Sequence, residues 1–195
     1  MQNNAPLAAN SIIGILGGGQ LARMLSLAAA PLGYNVCIFC PEKSSPAIDV
    51  SHSNIVAAYD DEVKLKQFAQ QVDVITYEFE NIPAKTIEFL TQFTTVSPNL
   101  KSLKTAQDRL VEKDYLNAVG TQTAPYVNIT SHNDLDAAIT KLGLPAILKT
   151  RTMGYDGKGQ VAIRNTDDIA EARKLISNNK HGDCILESFI VKFCA

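Results

Sequence analysis

The residues best suited to chemistry are a lysine and a run of glycines just after it. Residues 154–160 read Gly154-Tyr155-Asp156-Gly157-Lys158-Gly159-Gln160, with Lys149 a short way upstream. Closely spaced glycines let a backbone take positive φ and bring its N–H groups close to an anion. A lysine fixed at the foot of such a loop adds a point charge, and the combination suits the phosphates of a nucleotide. The elements that must hold these groups can be read on either side. The apolar run 145–148 is a short buried strand that Lys149 closes, and 161–163 is a second strand that Gln160 opens. The glycines therefore form a loop between two strands. They are not the strand-to-helix turn of a P-loop, whose Gly-Lys-Ser/Thr ending is absent. An ordinary hairpin turn with a solvated lysine has the same spacing.

A second glycine turn, Gly17-Gly18-Gly19-Gln20, follows the β-branched run 11–16 and precedes an apolar helix over 21–32, which Pro31 and Gly33 end. The next strand covers 36–40. Strand, glycine turn, helix and strand in this order open a doubly wound parallel sheet, and the helix N-terminus offers N–H groups to an anion. Gly17, Gly19 and Ala22 also satisfy the relaxed dinucleotide fingerprint, so an NAD-dependent oxidoreductase is a rival reading. That reading needs an acidic residue at the end of the second strand, where Glu42 stands one place beyond Pro41. The glycines could equally serve only to pack helix on strand.

The bulk composition narrows the classes. The chain has 195 residues, 46% hydrophobic and 19% charged, which fits globular cores in one large or two small domains. A formal charge of -2 points to neither nucleic acid nor a membrane surface. Apolar runs such as 24–32 are too short to span a bilayer. Residues 1–11 lack the basic and apolar regions of a signal peptide and read as a disordered extension, so a cytoplasmic location is expected. Cys37 and Cys40 lie three apart in a strand, which points them to opposite faces, and with Cys184 and Cys194 they make no disulfide framework. His52, His132 and His181 cluster with no other ligand type, so no metal site is expected.

The alternation continues with a helix over 60–71, a strand over 73–76, a helix over 83–93 with Pro83 in its first turn, and a strand over 95–97. Tyr77-Glu78-Phe79-Glu80-Asn81 follows the third strand so identified, at the carboxyl end, where open sheets bind ligands. A capping loop with solvated acids is the plainer alternative. A boundary is expected after residue 104. Beyond it a single charged helix spans 106–119, carrying Arg109, Glu112, Lys113 and Asp114, and Gly120 stops it. By spacing alone Arg109 is a solvated charge. An extended segment begins at Pro125, a helix covers 133–142, and Thr166 caps another over 167–177. A strand over 184–186 ends in Glu187-Ser188-Phe189-Ile190.

Four stretches in register resemble the 5-(carboxyamino)imidazole ribonucleotide synthases, ATP-grasp ligases of purine biosynthesis. They are Ile13-Gly14-Ile15-Leu16-Gly17-Gly18-Gly19-Gln20-Leu21-Ala22-Arg23-Met24, Thr76-Tyr77-Glu78-Phe79-Glu80-Asn81-Ile82-Pro83, Gln107-Asp108-Arg109, and Leu148-Lys149-Thr150-Arg151 running into the glycine loop. The resemblance covers residues 12–190. It implies an α/β fold: a Rossmann-like parallel-sheet (pre-ATP-grasp) domain over 12–104, then the first, α+β part of an ATP-grasp domain over 105–195. It also implies ATP-dependent carboxylation of aminoimidazole ribonucleotide with bicarbonate, through carboxyphosphate. By the same resemblance Arg109 and Lys149 contact ATP, and Gly154, Tyr155, Asp156, Gly157, Lys158, Gly159 and Gln160 form a flap over its phosphates. Lys149, Asp156 and Lys158 stand nearest the chemistry. Glu187, Ser188, Phe189 and Ile190 form the strand that bonds adenine, while Gln20, Leu21 and Glu78 face the imidazole ribonucleotide, as Asp156 and Lys158 also do. A homodimer is implied too.

The chain departs from the pattern after Ile190. The family continues with an acidic ribose-binding residue and then the carboxylate and asparagine that bind Mg²⁺. A truncated synthase, inactive alone, is therefore expected, with a non-catalytic nucleotide-binding remnant as the alternative. The last strand is expected to be an unpaired edge.

Overall fold

The computed structural model describes residues 6–154, 159–179 and 183–190. The chain divides into two compact units, with the break between Lys104 and Thr105. The first is a five-stranded parallel sheet in the order β3-β2-β1-β4-β5, built from β1 (Ile12–Leu16), β2 (Asn35–Cys40), β3 (Ser53–Val56), β4 (Val74–Tyr77) and β5 (Thr95–Val96). The order reverses between β1 and β4, so the carboxyl ends of these two strands face one crevice.

Period-2 alternation splits the core of this unit in two. Leu16, Cys37 and Phe39 join Leu65 and Phe68 of α2 (Glu62–Ala69), Ile87 and Leu90 of α3 (Ala84–Leu90), and Leu103 of α4 (Leu100–Gln107). Ile15, Ile38 and Cys40 turn the other way, onto Ala22 and Ala29 of α1 (Gln20–Ala29). Cys37 and Cys40 thus lie on opposite faces and cannot share a metal ion. Burying side chains the size of Phe39 or Phe68 contributes about 1.5–3 kcal/mol each.

Several expectations need correction here. Strand β3 was not expected, because its Ser53-Asn54 opening hides the apolar pattern of a half-exposed edge strand. Pro83 is the N-cap of α3, with extended ψ of 131°, rather than part of its first turn. Residues 7–10 are no loose extension: Tyr34 Oη donates to the Leu7 carbonyl (3.2 Å) and the Asn10 N–H to that of Gly33 (2.8 Å).

The second unit is a four-stranded antiparallel sheet in the order β6-β9-β7-β8, comprising β6 (Tyr126–Ile129), β7 (Ala146–Thr150), β8 (Gln160–Ile163) and β9 (Cys184–Ser188). Strand β9, expected at an edge, pairs on both sides; β6 and β8 are the edges. One face of the sheet is apolar. Ala146, Leu148, Ile163 and Leu186 pack on Leu135 and Ala138 of α6 (His132–Leu142) and on Ala172 of α7 (Ile169–Asn178). Ser131 caps α6, and Gly143 ends it at φ 76°. Before α7 runs a 3₁₀ turn, Thr166–Asp168, whose capping-box residue is Asn165, so Thr166 is not the cap.

The single helix expected over 106–119 is two helices. Helix α4 ends at Gln107, and α5 (Arg109–Ala118) begins beyond Asp108. Asp108 takes an extended conformation (φ -122°, ψ 112°), and its carboxylate accepts the N–H groups of Leu110 and Val111.

Candidate functional site

The polar face of the second sheet gathers the chemistry. Lys149 alternates with the buried Leu148 and Thr150, so it projects away from the apolar core. Glu187 on β9 lies opposite Ile147 and Tyr126, which sets Lys149 on its diagonal. Lys149 Nζ is 3.1 Å from Glu187 Oε2, and Lys113 Nζ, from α5, is 3.3 Å from the same oxygen. The carboxylate is buried, with only 9% of its side chain exposed. Two ammonium groups around one carboxylate leave a net positive charge, which suits an anionic ligand.

Arg109 begins α5 and clamps the foot of the glycine loop. Its Nη1 donates to the Thr150 carbonyl (3.2 Å) and its Nη2 to that of the buried Gly154 (2.9 Å). On the far side the Thr150 N–H donates to the Gly159 carbonyl at 2.8 Å. Gly159 sits at φ 71°, and a Cβ there would meet Thr150 Oγ1 at 2.7 Å, so glycine is required. Gln160 opens β8 opposite Lys149. Tyr155, Asp156, Gly157 and Lys158, which were expected to complete the loop, lie outside the described residues.

Below this loop sits an ion pair that the sequence does not announce. Arg151 forks onto Asp108, Nε to Oδ1 at 3.0 Å and Nη2 to Oδ2, and its Nη1 reaches Asp183 Oδ2 at 3.2 Å and Asn128 Oδ1 at 3.3 Å. Burial alone would raise the Asp108 carboxyl, but the Arg151 fork and the α5 N–H groups outweigh it and hold the pKa below the usual range. The stretches Gln107-Asp108-Arg109 and Lys149-Thr150-Arg151 contained this pair, but only their contact reveals it.

Of the expected adenine strand, the Ser188 N–H donates to the Pro125 carbonyl (2.9 Å) and the Phe189 N–H to that of Pro145 (3.1 Å). Those two N–H groups serve the sheet. Ile190 follows them at the exposed end of the strand.

In the first unit, Glu78 follows β4 and turns into the glycine turn after β1. The Gly19 N–H donates to Glu78 Oε1 at 3.1 Å. Gly17 stands at φ 107°, where a Cβ would come within 2.7 Å of the same oxygen. Burial raises the Glu78 carboxyl above its ordinary range, and the Gly19 N–H partly offsets this. The glycine turn, Glu42, Ser44, Ser45, Tyr59 and Glu78 line a cleft of about 370 Å³. On the other side of Glu78, Leu21, Met24, Leu25 and Ala28 line an open apolar depression. Gln20, the first residue of α1, is exposed.

This arrangement overturns the dinucleotide reading. The pyrophosphate of a dinucleotide would sit on the N–H groups at the start of α1, where the Glu78 carboxylate is bonded and would repel it.

Comparison with known proteins agrees with the two units. Residues 11–107 match the ribonucleotide synthetase preATP-grasp domain, and residues 114–194 match the ATP-grasp domain. The chain is thus of the ATP-grasp class. It is 45% identical over 178 residues to the N5-carboxyaminoimidazole ribonucleotide synthase of Pseudomonas aeruginosa, a match over 91% of this chain and 48% of that protein. The crystal structure of the Staphylococcus aureus synthetase complexed with ADP superposes with a TM-score of 0.88 at 42% identity, over 94% of this chain and 48% of that one. The Aspergillus clavatus synthase in complex with ADP and 5-aminoimidazole ribonucleotide superposes with a TM-score of 0.79 at 25% identity, over 92% and 46%. The chain belongs to the N5-carboxyaminoimidazole ribonucleotide synthase family. It spans about half the length of the synthases it matches.

Among the described residues no helix is long and apolar enough to cross a membrane. No group of three or more His, Cys, Asp or Glu among them could hold a metal ion.

Proposed function

We propose that this chain supplies the nucleotide-holding and ribonucleotide-holding surfaces of a ligase that carboxylates 5-aminoimidazole ribonucleotide with ATP and bicarbonate. The γ-phosphoryl group passes to a bicarbonate oxygen, giving carboxyphosphate and ADP. The amine nitrogen then attacks the carboxyl carbon, phosphate leaves, and the nitrogen loses a proton. Bicarbonate is a poor electrophile, and phosphorylation turns one of its oxygens into a leaving group.

The observation that carries this reading is the net positive cluster of Lys149, Lys113 and Glu187 at the foot of a glycine loop that Arg109 clamps. Phosphoryl transfer gathers negative charge, and fixed cations with backbone N–H groups offset it. In this reading Lys149 and Arg109 face the phosphates, and Gly154 and Gly159 are the feet of the flap. Tyr155, Asp156, Gly157, Lys158 and Gln160 complete it and keep water from a labile intermediate. Glu187 to Ile190 border the base. Gln20, Leu21 and Glu78 take the ribonucleotide, with the Glu78 carboxylate suited to accept hydroxyl donors. Mg²⁺ would accompany the ATP phosphates in this reading, and no group of three or more His, Cys, Asp or Glu among the described residues would hold it. A homodimer belongs to the same reading.

Calorimetric titration of ADP into the chain tests this. Binding is expected, and Lys149→Ala should weaken it by about tenfold or more, which corresponds to roughly 1.4 kcal/mol. ADP affinity that does not change in Lys149→Ala would overturn the assignment.

A further inference from the structure

Lys113 counts toward the positive cluster but has no role of its own in the assignments above, yet it shares the most buried carboxylate of the second site. Its Nζ lies 3.3 Å from Glu187 Oε2, the oxygen that Lys149 Nζ meets at 3.1 Å. The two lysines are not equivalent. The Lys113 side chain is 14% exposed and that of Lys149 24%, so Lys113 is the inner partner and Lys149 the outer one. Lys113 is also held from a second direction, with Nζ 5.5 Å from the centroid of the Tyr126 ring. The Tyr126 hydroxyl is itself tied to α5, donating to Asp114 and accepting from Asn117 Nδ2. Arg109, one turn earlier on the same face of α5, is engaged with the Thr150 and Gly154 carbonyls.

We propose that Lys113 is a positioning residue for Lys149: by staying on the Glu187 carboxylate it lets Lys149 turn to the phosphates of a nucleotide. This rests on the nucleotide reading above for the identity of the anion, though not for the coupling between the lysines. Were Lys149 the sole partner of Glu187, the pair would be neutral, and withdrawing Lys149 would strand a buried carboxylate, which is costly. With Lys113 present the cluster carries one surplus positive charge. An arriving phosphate then takes Lys149 while Glu187 keeps a partner. Lys113 also repels the Lys149 ammonium and competes for its carboxylate, so it loosens the Lys149–Glu187 ion pair.

The test needs no ligand in its first arm. The chain is labelled with limiting acetic anhydride at mildly alkaline pH, and modification of Lys149 is followed by peptide mass spectrometry. Lys113→Met should slow Lys149 labelling by about threefold or more, because Lys149, left as the sole partner of the buried Glu187 carboxylate, then stays in the ion pair. Lys113→Arg should label like wild type, and adding Glu187→Gln to Lys113→Met should reverse the slowing. A residue that merely props up the fold predicts the opposite sign, since a loosened site labels faster. Faster or unchanged labelling in Lys113→Met overturns the proposal. If Lys113→Met does not fold, Lys113→Gln carries the same comparison, and Glu187→Gln alone should speed labelling.

ADP titration of the same proteins forms the second arm. Lys113→Met should weaken ADP binding by about tenfold while the thermal midpoint stays near that of wild type. Slowed labelling in a wild-type background that binds no ADP upholds the coupling and overturns the nucleotide reading instead. Slowed labelling with ADP affinity that does not respond to Lys113→Met overturns the role in phosphate binding.

Discussion

Glu78 concentrates what a single residue can do in the first unit. It stands half-buried at the carboxyl end of β4 with one N–H donor, that of Gly19, on its Oε1. Burial outweighs that bond and raises its pKa above the ordinary carboxyl value, so ionising this group costs more in the folded chain than in the unfolded one. The sign follows from linkage. Its stabilising contribution is fully present below the ordinary carboxyl value of about 4.3 and is lost as pH rises through the raised folded value. Glu78→Gln keeps the shape and the acceptor for Gly19 but cannot ionise. Thermal melts of wild type and variant between about pH 4 and pH 8 should therefore diverge in favour of the variant as pH rises, then run parallel. A constant difference across that range would mean that burial does not penalise the charge. The same substitution should weaken binding of the imidazole ribonucleotide, because an ionised carboxylate accepts hydroxyl donors more strongly than an amide.

At the scale of elements, the break between α4 and α5 places Arg109 against the Thr150 and Gly154 carbonyls and Lys113 against Glu187. Asp108 makes that break by capping α5 and by receiving the Arg151 fork. Asp108→Ala removes both and leaves a largely buried guanidinium short of a partner, so a loss of about 2–4 kcal/mol is expected in urea denaturation of the second unit. Asp108→Asn retains a capping oxygen and loses the charge, and it should cost visibly less. Equal losses would assign the whole effect to the ion pair. The depressed pKa adds a pH signature: this contribution is present above about pH 4 and fades as pH falls through the folded value, and Asp108→Asn should abolish the fade. Little of this was legible in the sequence. Residues 100–118 contain no Gly or Pro to mark a break, and Asp108 stands among good helix formers. Its partner lies 43 residues away. Strands β1, β2 and β7 and the turns at Gly17 and Gly159 were legible, because apolar runs and glycine punctuation are local signals. The interior position of β9 was not, because strand order is a long-range fact.

The whole chain sets two binding chemistries on two folds. The parallel unit carries a carboxylate at the point where its strand order reverses, which accepts hydroxyl donors and repels a phosphate seated on the N–H groups of the glycine turn it occupies. The antiparallel unit carries surplus positive charge beside a glycine loop, which attracts phosphate. Each unit has its own core, on both faces of the parallel sheet and on one face of the antiparallel one. Ligands that bind the folded state slow exchange of the backbone around their site, so each should leave a separable footprint. Amide hydrogen exchange followed by mass spectrometry should show ADP protecting peptides of β7, β9 and the start of α5. The imidazole ribonucleotide should protect the peptides around Gly17 to Leu21 and around Glu78. Protection by ADP at the start of α1 would contradict the charge argument that excludes a pyrophosphate there. Protection by the ribonucleotide confined to residues 105–190 would move the substrate away from Glu78 and leave the glycine turn as packing alone.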